Sequence, residues 1–240
     1  MPEYHFGFAQ GSDDWLAARL GIPTASEFDR IVTPKKLQLA ETASVTYMHK
    51  LLAEWMYGAP LEAFDGGWVK RGKELEPEAA RYYEMEKDVE TQAVGFVTLD
   101  DGTAGASPDR LVGDVALVEF KCPALETHVG YMLDPQSLLV EYRIQHQGQL
   151  WVCSDREYVD MVSYYPGFPA VIVRTYRDEL VQRALSTHVP AFVATMQSCQ
   201  VALVQRYGEL RRERTTAEQR TAASHAAFAE FMESGIGGAV

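Results

Sequence analysis

The feature of this sequence that most constrains its fold is the segment VALVEFKC at residues 115–122. Alternate side chains of a β-strand point to opposite faces, so Glu119 and Lys121 follow Val115 and Leu117 on one face, while the other face is apolar throughout. Apolar residues on both faces are typical of a strand that is covered on both sides. Glu119 and Lys121 are then partly buried, and because an unpaired buried charge is costly, both need compensating partners.

On its own, the Glu119–Lys121 pair favours a simpler interpretation, an ion pair on the surface of an edge strand. Asp109 changes this balance because it lies on the preceding segment, and the intervening Gly113-Asp114 predicts a turn. A hard divalent cation such as Mg²⁺ binds carboxylate oxygens from separate segments and keeps several waters. The pattern therefore predicts a divalent-metal site at Asp109 and Glu119, with Lys121 holding or deprotonating a water that attacks a phosphate.

The length of the turn decides whether these two carboxylates meet. A two-residue turn would pair Asp109 with Val118 and would place the carboxylates of Asp109 and Glu119 on opposite faces of the hairpin. Pairing Asp109 with Glu119 requires a three-residue loop, in which Val112 faces Ala116, or a bulge in one strand. We therefore predict an odd-length connection or a bulge, with both carboxylates on one face.

The rest of the sequence alternates helical and strand patterns without an internal repeat or a linker. Apolar spacing and helix caps predict helices over residues 12–21, 24–31, 43–57, 67–87, 135–154, 178–206 and 216–233. Strands are predicted over residues 89–99, 104–112, 115–122, 158–165 and 170–176. This order indicates one α/β domain over residues 1–240, with N-terminal helices (12–88), a catalytic sheet and helix (89–176), and C-terminal helices (177–234).

Charge and cysteine content limit the classes of protein that fit. A net charge of −12 counts against a partner rich in phosphate unless basic residues line a local groove. The best local sources of positive charge are Lys35, Lys36, Lys70, Arg71 and Lys73. The three widely spaced cysteines fit neither a disulfide framework nor a cysteine-ligated metal site, and no secretory signal or membrane-spanning run is visible. A reducing cytoplasm is the simplest expectation.

Five ordered segments give this chain a resemblance to the phage lambda exonuclease family, within the restriction-endonuclease-like nuclease superfamily. They are QGSDDWLAARLG with TASE (residues 10–21 and 24–27), RGKELEPEA (71–79), SPDRL (107–111), EFKCP (119–123) and YRIQHQ (142–147). The Pro-Asp and Glu-x-Lys elements are common by chance, whereas five motifs in order are specific. The resemblance implies a restriction-endonuclease-like core, a central mixed β-sheet flanked by helices, with extra N- and C-terminal helices.

The resemblance also implies a role for each matching residue of the cutting site. Asp109 and Glu119 would ligate Mg²⁺, in a site for two metals where Mn²⁺ can substitute, and the backbone carbonyl of Phe120 would be a further ligand. Glu76 would complete the metal site from its helix, although outside the family pattern it is an ordinary solvated acid. Lys121 would position the attacking water.

A second set of residues would recognise the DNA end and support the site. By resemblance, Arg19, Ser26 and Ser107 form the pocket for a terminal 5′-phosphate, a task that suits the planar fork of arginine. The simpler interpretation of Arg19 is a stem packed on Trp15. Tyr142 and Gln145 lie one helical turn apart and would face the active site together. Two other glutamines of this segment (Gln147 and Gln149) and two histidines (His128 and His146) are expected to be ordinary polar residues.

The activity implied is 5′→3′ degradation of one strand of linear duplex DNA, leaving a 3′ single strand for recombination. The family further implies a ring of three subunits, a single-strand annealing partner and a phage or prophage origin. Alternatives on the same core are a restriction-like or structure-specific endonuclease, and a DNA-end-binding protein without catalysis. The chain departs from the family pattern at Pro77 and in much of residues 180–240.

Overall fold

The computed structural model describes residues 1–61 and 67–209, without the side chains of residues 67–70. Its helices are α1 (Asp13–Ala18), α2 (Glu41–Tyr57), α3 (Gly67–Lys87), α4 (Leu125–Leu133), α5 (Pro135–Glu141), α6 (Arg143–Val152) and α7 (Glu179–Tyr207), with a 3-10 helix at Ala25–Arg30. Its strands are β1 (Glu3–His5), β2 (Gln92–Ala93), β3 (Phe96–Thr98), β4 (Gly105–Ala106), β5 (Arg110–Val112), β6 (Ala116–Lys121), β7 (Tyr158–Ser163) and β8 (Val171–Tyr176). The helix predicted over 216–233 lies outside the described residues.

Two sheets organise the described part of the chain. The larger has five strands in the order β2-β5-β6-β7-β8, and the smaller has three in the order β1-β3-β4. The β6–β7 pair is parallel and its neighbouring pairs are antiparallel, so the larger sheet is mixed. Its middle strand is β6, the segment whose two apolar faces predicted a doubly covered strand. The predicted α/β class with a central mixed sheet and flanking helices is confirmed.

Strand β6 is covered by helices on both faces, which explains the burial at its charged end. Val118 and Phe120 pack in one apolar cluster with Tyr83 of α3. Leu117 belongs to the main core, which also contains Leu150 of α6. Glu119, on the same face as Leu117, is only 5% exposed. The predicted burial of the Glu119 carboxylate is therefore confirmed.

The hairpin between β5 and β6 has the predicted odd-length loop. Val112 pairs with Ala116 and Arg110 with Val118, which leaves a three-residue loop at 113–115. Gly113 adopts φ +50°, a left-handed conformation that side chains disfavour and that starts this turn. One step beyond the last registered pair, Asp109 lies opposite Glu119. The register prediction is confirmed.

Several predicted element boundaries are wrong. The strand predicted over 89–99 is two short strands in different sheets (β2 and β3), and the strand over 104–112 is likewise split into β4 and β5. The helix predicted over 135–154 is two helices that meet at Tyr142, and a further helix, α4, precedes them. Within the described residues, no helix combines the length and apolarity that crossing a membrane requires.

Gln147 is not the surface residue that its sequence context predicted. Its side chain is 1% exposed, and its amide nitrogen donates to the Tyr176 carbonyl at 2.7 Å. Its amide oxygen accepts from the backbone N–H of Asp178 at 2.9 Å, and Asp178 caps the N-terminus of α7. Gln147 therefore fastens α6 to the end of β8 and to the start of α7.

Candidate active site

The charged end of β6 forms a compact hydrogen-bonded cluster. The Lys121 ammonium donates to Glu119 Oε1 at 2.8 Å and to Gln145 Oε1 at 3.0 Å. The same ammonium lies 4.5 Å from the centre of the Tyr142 ring, a cation–π contact. The structure thus brings together four of the residues predicted for the site, with α6 and its preceding residue supplying Gln145 and Tyr142.

Two glutamines of α6 fix the orientation of the Glu119 carboxylate. Gln145 Nε2 donates to Glu119 Oε1 and Gln149 Nε2 donates to Glu119 Oε2, each at 2.6 Å. With the Lys121 bond, three of about four acceptor positions of the carboxylate are filled, which leaves room for one more partner. Gln149 was expected to be an ordinary polar residue, but its spacing of four from Gln145 places both on one helix face.

Asp109 is joined to β6 through the backbone as well as by register. Its Oδ2 accepts a 2.7 Å bond from the N–H of Phe120, which brings the Glu119–Phe120 peptide against the Asp109 carboxylate. Glu76, from α3, accepts from Arg110 Nη1 at 3.1 Å, and the same Nη1 donates to the Asp109 carbonyl at 2.7 Å. Arg110 thus ties Glu76 to the Asp109 segment, a role that no motif of the sequence indicated.

The carboxylates of the cluster oppose one another electrostatically. Burial, followed by the charges of Glu119 and Glu76, raises the pKa of Asp109 well above its ordinary value. Burial also raises the pKa of Glu76, against the opposing effect of Arg110. Burial alone would lower the pKa of Lys121, but the carboxylates of Glu119 and Asp109 outweigh it and the net pKa is raised. Lys121 therefore stays charged and donates to Glu119 and Gln145.

The donor set fits a hard divalent cation. Among residues 1–61 and 67–209, no three His, Cys, Asp or Glu side chains already form a metal-ligand group. Mg²⁺, however, is commonly held by one or two carboxylates, substrate oxygens and water. Asp109 and Glu119 supply two such carboxylates. Burial, followed by the charges of Glu119 and Glu76, raises the pKa of Asp109, and a bound cation would offset both causes. The residues present therefore fit the predicted metal.

We expect Asp109→Asn to stabilise the metal-free protein at neutral pH. A carboxyl whose pKa is raised by folding binds its proton more tightly in the folded state, so its contribution to stability falls as pH rises from about 4 through the raised pKa. Asparagine keeps an acceptor for the Phe120 N–H but carries no charge. Above that pH range, we expect the free energy of unfolding of the variant to exceed that of the wild type by about 1 kcal/mol or more. Each kcal/mol corresponds to a rise of roughly 2–4 °C in Tm.

Thermal unfolding in EDTA between pH 5 and 8 checks this expectation, because the Tm difference between variant and wild type should grow with pH. Adding Mg²⁺ should raise the Tm of the wild type, since a ligand that binds only the folded state stabilises it, and should have little effect on Asp109→Asn. A metal-free variant that is less stable than the wild type at pH 8 would contradict the proposed repulsion.

The three residues predicted for the 5′-phosphate pocket are linked through two residues that sequence reasoning did not assign. Arg19 stacks on Trp15, with its guanidinium carbon 4.0 Å from the ring centre, and Trp15 Nε1 donates to Ser107 Oγ at 3.0 Å. Arg19 Nη2 also donates to Thr24 Oγ1 at 3.1 Å, which lies 3.3 Å from Ser26 Oγ. Arg19 therefore packs on Trp15 and is linked to both serines, to Ser107 through Trp15 and to Ser26 through Thr24.

The cavity beside Arg19 and Ser26 has both basic and acidic side chains in its wall. Its volume is about 140 Å³, and Lys50, Glu27 and Glu54 also line it. Burial lowers the pKa of Arg19 from its ordinary value, but an arginine remains charged in a protein, and a poorly hydrated guanidinium gains by binding phosphate. Trp15 links this pocket to Ser107, two residues before Asp109.

Arg71, His128 and His146, which the sequence analysis also considered, have hydrogen-bond partners within the fold. Arg71, expected to line a positive groove, donates to the carbonyls of Cys122 and Pro123 at 3.1 and 3.0 Å. His128 is buried against Ser163 Oγ at 2.7 Å. His146 contacts the Leu139 carbonyl at 3.1 Å, and burial lowers its pKa to about 4. Both histidines are buried and hydrogen-bonded within the fold.

Comparison with known proteins gives the chain a family. Residues 14–157 match the YqaJ-like viral recombinase domain. The alkaline exonuclease LHK-Exo from Laribacter hongkongensis is similar with a TM-score of 0.71 and 32% identity, over 83% of this chain and 100% of that chain. Its complex with dAMP gives a TM-score of 0.72 and 31% identity over the same shares.

A phage related exonuclease from Haemophilus somnus 129PT shares the fold alone, with a TM-score of 0.60 and 16% identity over 76% of this chain and 96% of that chain. No curated protein sequence matches this chain. The family match covers more than half of the sequence and includes Asp109, Glu119 and Lys121. The chain therefore belongs to the YqaJ-like viral recombinase family and has the fold of the alkaline, lambda-exonuclease-like nucleases.

Proposed function

We propose that this protein is a Mg²⁺-dependent 5′→3′ exonuclease that degrades one strand of linear duplex DNA from a 5′-phosphorylated end, leaving a 3′ single strand for recombination. The observation that carries the proposal is the register of β5 and β6, which sets Asp109 opposite Glu119 with Lys121 beside it. Membership of a recombinase family and similarity to an alkaline exonuclease support the same reaction.

In this proposal the cation is held by Asp109, Glu119 and the carbonyl of Phe120, with Glu76 completing the site. A bound Mg²⁺ would supply Lewis-acid stabilisation of the phosphate and lower the pKa of a bound water, and a second ion would assist the leaving oxygen. Gln145 and Gln149 hold the Glu119 carboxylate through the bonds described above. They are positioning residues, because they act on the substrate through Glu119.

Lys121 orients the attacking water in this proposal. A lysine ammonium has three donors, and two of those of Lys121 bind Glu119 and Gln145. The remaining donor is directed in our proposal to the water or to a phosphate oxygen. Tyr142 supports the ammonium through the face of its ring.

Recognition of the end is proposed to lie in the Arg19 pocket. Arg19, Ser26 and Ser107 offer a charged fork and two hydroxyls to a terminal phosphate, and the stacking of Arg19 on Trp15 holds the fork in place. A restriction-like or structure-specific endonuclease has no need of a pocket for a terminal phosphate, so this pocket favours the exonuclease. The presence of all four residues of the cutting site disfavours a binding protein without catalysis.

The assembly and cellular setting are further parts of the proposal. We infer a single nuclease domain that forms a homotrimeric ring around DNA, working in the cytoplasm of a bacterial host as a phage or prophage protein, beside a single-strand annealing protein. The net charge of −12 is compatible with this if basic residues line a local groove, because an acidic exterior discourages DNA from binding outside it.

One digestion experiment tests the reaction itself. The protein is incubated with linear duplex carrying 5′-phosphate, linear duplex carrying 5′-hydroxyl, and closed circular duplex, each with Mg²⁺ or EDTA. We expect rapid loss of one strand from the phosphorylated linear DNA in Mg²⁺ only. Cleavage of the closed circle at a comparable rate would replace the proposal with an endonuclease, and metal-independent cleavage would refute the proposed site.

A further inference from the structure

The backbone around Asp109 lies between two strands and belongs to neither. Strand β4 ends at Ala106 and β5 begins at Arg110. Within the described residues, no strand pairs with the stretch 107–109. Pro108 is buried and has no N–H to donate to a neighbouring strand. The orientation of the backbone at Asp109 therefore depends on contacts other than a β-ladder.

The side chain of Gln10 supplies one of these contacts. Its amide nitrogen Nε2 donates to the Pro108 carbonyl at 2.9 Å and to the Val94 carbonyl at 3.0 Å. A glutamine amide has two N–H donors, so these bonds use both of them. Val94 and Pro108 are buried, and a buried carbonyl that loses its donor costs about 1–3 kcal/mol. Gln10 thus bridges β2 and β5 just beyond their last pair, Ala93–Arg110.

A tight turn holds Gln10 in this position. The Ser12 N–H donates to the Ala9 carbonyl at 3.1 Å, which closes a β-turn over residues 9–12. Gly11, the third residue of the turn, adopts φ +86°, the left-handed conformation that a type II turn requires there. Ser12 also caps the N-terminus of α1. The side chain of Gln10 is therefore carried on a short loop that is fixed to the start of a helix.

The Pro108 carbonyl belongs to the peptide that enters Asp109. Because a peptide is planar, fixing this carbonyl fixes the direction from which the backbone reaches the α-carbon of Asp109. The peptide that leaves Asp109 is held by Arg110, whose Nη1 donates to the Asp109 carbonyl at 2.7 Å. Side chains therefore hold both peptides that flank the Asp109 carboxylate, Gln10 on one side and Arg110 on the other.

We propose that Gln10 is a positioning residue of the metal site, which orients the Asp109 carboxylate through the Pro108 carbonyl. This inference rests on the proposed function, in which Asp109 is a metal ligand. Gln10 acts through Asp109 and contacts neither the cation nor the DNA. Residues that orient a metal ligand in this way typically change metal affinity or activity by about 10–100-fold when they are replaced.

Titration calorimetry of the full-length protein with Mg²⁺, in the absence of DNA, tests this role without relying on cleavage. Gln10→Met keeps the length of the side chain and removes both donors. We expect it to raise the dissociation constant for Mg²⁺ about tenfold. If Gln10→Met does not fold, Gln10→Asn takes its place with the same expected direction, because it keeps the amide but withdraws it from the two carbonyls.

Gln182→Met is the matched control. Gln182 Nε2 also donates to two oxygens, the backbone carbonyl of Gln147 at 2.8 Å and its Oε1 at 3.0 Å. Gln147 is two residues from Gln145 and from Gln149, so it lies on the opposite face of α6 from both. Both methionine variants should lower the Tm in EDTA, but Gln182→Met should bind Mg²⁺ as the wild type does.

Digestion of 5′-phosphorylated linear duplex gives a second readout. In Gln10→Met the rate should rise toward that of the wild type as the Mg²⁺ concentration is increased, because a weakened site fills at higher concentration. A Gln10→Met protein with a lowered Tm, but with the Mg²⁺ dissociation constant and the Mg²⁺ dependence of the wild type, would show that Gln10 serves folding alone. That result overturns the inference.

The two proposals fail separately. A wild-type protein that binds Mg²⁺ more tightly than Gln10→Met does, but does not digest linear duplex, would refute the exonuclease and retain the role of Gln10. A protein that digests linear duplex from its 5′ end, with Mg²⁺ affinity and Mg²⁺ dependence unaffected by Gln10→Met, would do the opposite. Absence of Mg²⁺ binding by the wild type at millimolar concentration would overturn both.

Discussion

Alanine at Asp109, Glu119 or Lys121 is expected to lower the rate of cleavage of 5′-phosphorylated duplex by about 10³-fold or more. Loss of either carboxylate removes a proposed metal ligand, and loss of the Lys121 ammonium removes a charged donor at the phosphate. The loss of a single preorganised donor in an enzyme site typically costs 10²–10³-fold, and the loss of a metal costs more. The measurement is strand loss in Mg²⁺ under single-turnover conditions.

Binding of the DNA end should survive these substitutions at least in part, because the Arg19 pocket is unchanged. Glu74→Ala, which removes an exposed carboxylate from α3, is the matched control and should cleave as the wild type does. If any one of the three alanine variants retained near-normal turnover, that residue would have no place in the cutting site. Far-UV circular dichroism and Tm separate lost chemistry from lost folding.

Arg19→Ala should remove most of the preference for a 5′-phosphate. An arginine fork makes paired charge-assisted bonds to phosphate, and its loss should reduce the ratio of rates on phosphorylated and hydroxyl ends by roughly tenfold to hundredfold. Arg19→Lys keeps the charge without the fork and should give an intermediate ratio. The ratio is measured on two duplexes that differ only at the 5′ end.

The dependence of the rate on Mg²⁺ concentration should be unchanged in Arg19→Ala. The Arg19 side chain donates to Thr24 and stacks on Trp15, and it is not bonded to the proposed metal ligands Asp109 and Glu119. Arg183→Ala, an exposed arginine of α7, controls for the loss of one positive charge. If the ratio of rates on phosphorylated and hydroxyl ends were unaltered in Arg19→Ala, the pocket would not recognise the terminal phosphate.

The centre of the site was predictable because it lies on short, regular elements. Alternation along residues 115–122 defined the two faces of β6. If Asp109 and Glu119 share a cation, parity requires an odd-length loop or a bulge, and the structure contains the loop. Gln149 and Arg110 were not assigned, because a glutamine on a helix and an arginine after an aspartate are common surface features. Only the tertiary structure gives them carboxylate partners, the buried Glu119 for Gln149 and the partly buried Glu76 for Arg110.

The fold was predictable in class and order but not in its breaks. An apolar run such as residues 89–99 indicates extended backbone, but nothing in it indicates that the chain passes from one sheet to the other near Gly95. That passage depends on a distant segment, since a β-carbon at Gly95 would lie 2.4 Å from the Phe8 carbonyl. Gln147 was misplaced for a similar reason, because its partners lie at the junction of β8 and α7.

The loop at residues 113–115 has a consequence for how sequences of this kind can diverge. Surface turns usually tolerate insertions and deletions, since few contacts depend on their length. Here the insertion or deletion of one residue would shift the register of β5 against β6 by one position. The side chain of Asp109 would then point to the face opposite that of Glu119. A substitution at Asp114, by contrast, leaves the loop length and therefore the register unchanged. Loop length is thus a catalytic constraint, although the exposed loop itself contacts no substrate in the proposed reaction.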